Sequence, residues 1–164
     1  MEIKSIHIIG AVLLLFILKG VAMSRLSRNF TSRELTATST GYSNAPDGVA
    51  ELNLEELAQG ILQPVRDRWG RIKVNSGYRS AEVNAAVGGS LRSQHLHGEA
   101  ADIVPLDADI YEVFQWIRDE SGIDYGQLIL EKKGGAYWIH ISLPRPDGRN
   151  LQALLIIDGV RSYA

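Results

Sequence analysis

The sequence predicts an α+β fold, with a small antiparallel sheet flanked by helices. Three observations lead there. Helical and strand-like stretches follow one another without regular βαβ alternation, which argues against a doubly wound parallel sheet. Apolar residues recur at helical spacing from about Leu52 to Trp69 and from Ile110 to Ile117, whereas Ile72 to Ser76 and the stretches from Gln127 to Ile157 read as short strands. The 164 residues, 45% hydrophobic and 22% charged, provide one domain with a substantial core and little room for a second.

The opening segment differs from the rest. Ile8 to Leu18 is an unbroken apolar run between Lys4 and Lys19. A signal-peptide core takes about 7–15 apolar residues and a membrane span about 20. Residues 1–23 therefore read as a signal peptide or a signal-anchor, the second requiring Lys19 to snorkel to the interface. A buried core helix is the competing reading. Gly20-Val21-Ala22 offers small residues for cleavage, although Met23 departs from the usual pattern. Residues 24–28 read as a polar linker and residues 29–164 as the folded domain.

Within that domain, Thr31 and Glu34 form a capping box for a short helix. Gly41 to Gly48 is turn chemistry. Leu54, Leu57, Ile61, Leu62, Val65 and Trp69 make one stripe on a helix from about Leu52 to Trp69, which Pro64 should kink or split and Gly70 should stop. Ile72 to Ser76 alternates as a strand, and Ser80 caps a helix to about Val87. A loop then leads into a strand at Ala100 to Val104. Ile110, Val113, Phe114 and Ile117 mark a second amphipathic helix ending at Gly122. Gln127–Glu131 and Ala136–Leu143 read as a hairpin across Lys132 to Gly135, followed by a last strand, Leu151 to Ile157.

Composition excludes some classes of function. A net charge of −2 gives no basic stripe for nucleic acid. With no cysteine there are no disulfides and no thiolate metal sites, so any zinc must sit on histidine and carboxylate. Ser93 to Asp102 supplies such donors in His95 and Asp102, and Trp138-Ile139-His140 supplies a third. Two imidazoles and a carboxylate are the nitrogen and oxygen donors of a catalytic zinc with an open position. If Ala100 to Val104 is a strand, Gly98, Ala100 and Asp102 share a face, and His140 shares one with Trp138 and Ser142. Taken alone, such a trio is more often unrelated than a site, and His97 reads as an accessory group or an exposed side chain.

The ordered motif Ser93-x-His95-x-x-Gly98-x-Ala100-x-Asp102, followed by Trp138-x-His140, resembles the zinc D-Ala-D-Ala carboxypeptidases of peptidase family M15, particularly the phage and bacterial cell-wall branch. Ser76-Gly77-Tyr78-Arg79-Ser80, Asn84 with Val87-Gly88-Gly89, and Gln127 to Glu131 extend the likeness over about Asn29 to Asp158. The resemblance implies a hedgehog/DD-peptidase-like fold, with His95, Asp102 and His140 as zinc ligands. It implies that Arg79 contacts substrate and stabilises the charged transition state, and that Ser93 lies near the bound peptide. Many relatives carry an acid three residues before the last zinc histidine, where this chain has Tyr137. The replacement is expected to be Glu131, as general base. With Lys132 to Gly135 as the hairpin loop, Glu131 opposes Ala136. That leaves four residues, roughly 13 Å, to the level of His140, so a bulge or wider loop would have to bring it in.

The resulting expectation is an exported zinc peptidase, acting on peptidoglycan stem peptides as a carboxypeptidase or a wall endopeptidase. It is expected to be a monomer without nucleic-acid partners, delivered to or across a membrane by its N-terminal segment, in a cell or as a phage product. The alternative is a non-catalytic, zinc-stabilised cell-wall-binding or virion structural module.

Overall fold

The computed structural model describes residues 24–146, 148 and 150–164. Residues 1–23, expected to be a signal peptide or signal-anchor, lie outside the described residues. Among the described residues, no helix is long and apolar enough to cross a membrane.

The expected linker is not one. Leu26 is buried and Arg28 pairs with Asp67, because Ser32 N–H bonds the Ser24 carbonyl and pulls this stretch onto the core. Thr31 then caps α1, Ser32–Leu35. Asp47 caps α2, Gly48–Leu57, so this helix starts earlier than its apolar stripe implied. The division expected near Pro64 takes the form of a change in helix type rather than a gap. A π-helical turn, Ala58–Leu62, precedes α3, Gln63–Trp69, and the Gln63 N–H reaches back to the Ala58 carbonyl. The wider turn gives the proline ring room against the preceding carbonyls, and Gly70 ends the helix at φ +81°.

The remaining elements are β1, Ile72–Ser76; α4, Ala81–Ala86; a 3₁₀ turn, Gln94–His97; β2, Ala100–Pro105; and α5, Ile110–Asp119. They are followed by β3, Gln127–Lys133; β4, Ala136–Ser142; β5, Gln152–Ile157; and β6, Val160–Tyr163. The strands form one sheet in the order β1-β2-β4-β3-β5-β6. Every junction is antiparallel except β3–β5. This parallel pair needs no long crossover. β4 has already returned the chain to the N-terminal end of β3, so the connection to β5 only rounds the end of one strand.

Strand alternation gives the sheet two unlike faces. Ala101, Ile103, Leu128, Leu130, Ile139 and Ile141 point to one side and are buried with Leu54, Leu57, Ile61 and Leu62 of the helical layer and Phe114 and Ile117 of α5. The other side carries Ser76, Asp102, His140, Glu131 and Trp138.

Candidate active site

Cross-strand pairing assembles the centre. Asp102 on β2 lies directly opposite His140 on β4, and Ser76 on β1 lies opposite Asp102. A bulge between Val74 and Ser76 shifts the β1 register and brings Ser76 onto the site face. His95 comes from the 3₁₀ turn before β2. Gly98 ends that turn at φ +72°, where a Cβ would meet the Ala50 carbonyl oxygen at 2.4 Å, so only glycine returns the chain into β2 here.

Three donor atoms converge. His140 Nδ1 is 2.9 Å from Asp102 Oδ1, His95 Nε2 is 3.3 Å from the same oxygen, and the two ring nitrogens are 3.2 Å apart. His95 Nδ1 donates to the Gly77 carbonyl at 2.7 Å, which leaves the Nε2 lone pair facing the other donors. Tetrahedral zinc with bonds of about 2.0–2.1 Å has ligand–ligand edges of roughly 3.3 Å. The donor set and its spacing therefore fit zinc.

The electrostatics agree. Burial holds the His95 imidazole below its usual pKa, with the Asp102 carboxylate opposing the shift. Burial would raise the Asp102 carboxyl, yet its interactions with His140 and His95 together outweigh it and keep its pKa below the ordinary carboxylate range. A neutral imidazole beside an ionised carboxylate is the form a metal requires.

These ligands lie in a cleft of about 750 Å³ that is also lined by Arg79, Ser93, Glu131, Lys133 and Trp138. All six side chains expected from the sequence thus meet in one place. His97 is exposed and outside the trio.

The route by which Glu131 arrives differs from expectation. Lys132 and Lys133 belong to β3, and the hairpin turn is Gly134-Gly135 alone, at φ +57° and +87°. Glu131 therefore opposes Trp138 rather than Ala136. It lies only two residues from the level of His140, on the same face, roughly 7 Å along the strand. A tighter turn, not a wider loop, brings it in. Burial raises its pKa, the Asp102 charge adds to this, and His140, a Trp138 hydrogen bond and Arg79 oppose it. Tyr137 points to the helical face, where it packs against Tyr111.

Sequence reasoning missed several contributors. Ser76 Oγ accepts from Arg79 Nε at 2.7 Å, and the Gly77 carbonyl orients His95. Neither a backbone carbonyl nor a strand-end serine carries a signature, although both sit inside the Ser76–Ser80 motif. Lys133, read as loop, stands on the site face at the cleft rim.

A His–Asp–His trio with a neighbouring carboxylate on the floor of an open cleft defines the class of a mononuclear metal hydrolase. A family model described as Peptidase M15 matches residues 26–142, and the chain belongs to that family. Over 78 residues it is 36% identical to the zinc D-Ala-D-Ala carboxypeptidase of Streptomyces albus G. That match covers 46% of this chain and 31% of the relative's length.

Proposed function

We propose that this protein is a zinc peptidase that hydrolyses peptidoglycan stem peptides. The carrying observation is Glu131, a half-buried carboxylate on the same face of the sheet as the donor trio and in the same cleft. His95, Asp102 and His140 would hold the metal. When bound, zinc supplies Lewis acidity toward a scissile carbonyl and acidifies water.

In this reading Glu131 accepts the proton of the attacking water and delivers it to the leaving amine. Its raised pKa brings it nearer the operating pH, as that exchange requires. Arg79 Nη1 makes no hydrogen bond among the described residues and is left to face a developing oxyanion. Ser93 lines the cleft beside them, where a hydroxyl can contact the bound peptide. The similarity to a D-Ala-D-Ala carboxypeptidase supports stem peptides as the substrate class. The apolar run in residues 1–23 supports export to the wall side of a membrane.

The test incubates the protein with purified peptidoglycan and identifies released fragments by mass spectrometry, alongside its Glu131→Gln variant. Zinc near one per chain is expected in both. Turnover in the variant is expected to drop about 10²–10⁴-fold, and the fragment mass names the bond cleaved. Bound zinc without products from any wall preparation would instead indicate a zinc-stabilised binding or virion module.

A further inference from the structure

We infer that Arg79 is a positioning residue for Asp102, and that the turn Ser76-Gly77-Tyr78-Arg79 is the frame that sets the metal affinity of the site. The inference rests on the metal-site reading above. Arg79 Nη2 donates to Asp102 Oδ2 at 2.5 Å, and its Nε donates to Ser76 Oγ at 2.7 Å. The guanidinium is thus held at two points, and both it and Asp102 are largely shielded, at 15% and 13% exposure. With Oδ2 engaged by Arg79, the oxygen facing His140 and His95 is Oδ1. Arg79 thereby divides the carboxylate, giving one oxygen to the frame and one to the metal.

The same turn governs a second ligand. The Gly77 carbonyl takes the His95 Nδ1 proton, and the Arg79 N–H donates to the His95 carbonyl at 3.0 Å. His140 receives its place from sheet pairing instead. The frame is itself fixed from outside. The Tyr78 N–H bonds the Leu35 carbonyl, and Gly77 lies so close that a Cβ would meet that oxygen at 2.3 Å. Asn44 Nδ2 donates to the Tyr78 carbonyl, while its Oδ1 accepts from the Ser80 N–H at 2.7 Å. A turn braced this way cannot drift, so the fork of Arg79 arrives at Asp102 in one geometry. Lysine, a single point charge on a flexible stem, cannot bond Ser76 and Asp102 as a planar fork does.

The experiment measures zinc dissociation constants for the full chain by competition with a chromophoric chelator. It compares the parent protein with Arg79→Ala, Arg79→Lys and Ser76→Ala, and records the visible spectrum of each Co²⁺-loaded form. Both Arg79 variants are expected to bind zinc about 10–100-fold more weakly and to show an altered Co²⁺ spectrum. Ser76→Ala is expected to shift the same way by less. A folded Arg79→Ala with the parent's zinc affinity would overturn the inference, and so would full rescue by lysine. If Arg79→Ala does not fold, Ser76→Ala decides: affinity equal to the parent's overturns the frame. A parent that binds no zinc overturns both this inference and the metal-site reading. A parent that binds zinc but releases no wall fragments overturns only the peptidase reading, because affinity is read without substrate.

Discussion

Arg79–Asp102 and Arg71–Asp107 are chemically the same pair, set at opposite ends of the β1–β2 ladder. Arg71 meets Asp107 through three side-chain contacts of 2.7–3.2 Å and a backbone N–H bond, so its geometry is at least as complete as that of Arg79. Hydrogen bonding from Arg71 lowers the Asp107 carboxyl to about 2. Yet the arginine there is 68% exposed, against 15% for Arg79. Water and salt screen the outer pair, whereas the inner one sits where the dielectric is low and its carboxylate has two histidines to serve. Solvent, not bond count, separates an ornament of the ladder from a part of the site.

The comparison breaks most visibly at its aspartates. Asp102→Ala is expected to abolish zinc binding and to leave Arg79 shielded without its charge partner, at a cost of about 3–5 kcal/mol measured by chemical denaturation. A loss no larger than a surface mutation would show that the inner pair is screened after all.

Acid offers a second, smaller contrast. His95 has its pKa lowered in the fold, so below about 6.5 the unfolded chain binds a proton that the folded one resists. Stability of the zinc-free protein should therefore rise with pH through that region and fall as pH drops below it. Thermal melts of the Glu131→Gln variant from pH 8 to pH 5 check the sign without the opposing titration of Glu131, and a flat profile there would mean that His95 titrates alike in both states. The smallest effect is expected for Asp107→Ala, with zinc affinity and turnover unchanged and little movement of Tm. A marked loss of zinc there would erase the distinction between the two ends.

Much of this arrangement is legible in the sequence, and the misreadings have physical causes. The capped helices and the buried strands announce themselves through periodicity. β6 does not, because all four of its residues are exposed and it lacks an apolar alternation; its signal is the Asp158-Gly159 turn, with both residues at positive φ. Lys132 and Lys133 look like loop residues because they are charged, yet they continue β3 beside the cleft. The ligands are readable because their types and spacing are distinctive. The contacts that orient them are not, since Arg79 and Asp102 are 23 residues apart and the Gly77 contribution is a carbonyl that every residue possesses.

The hairpin of β3 and β4 carries one more implication. Leu128, Leu130, Ile139 and Ile141 are fully buried on the helical face, and a slip of one residue would turn the pair on the slipped strand out of it. The same pairing fixes how far Glu131 stands from His140, so the oily side of the hairpin acts as a ruler for the reactive side. Alternate positions on these strands are thereby uncoupled for redesign. Lys133 and Trp138, which line the cleft, can be rewritten to retarget it while the apolar residues between keep its spacing.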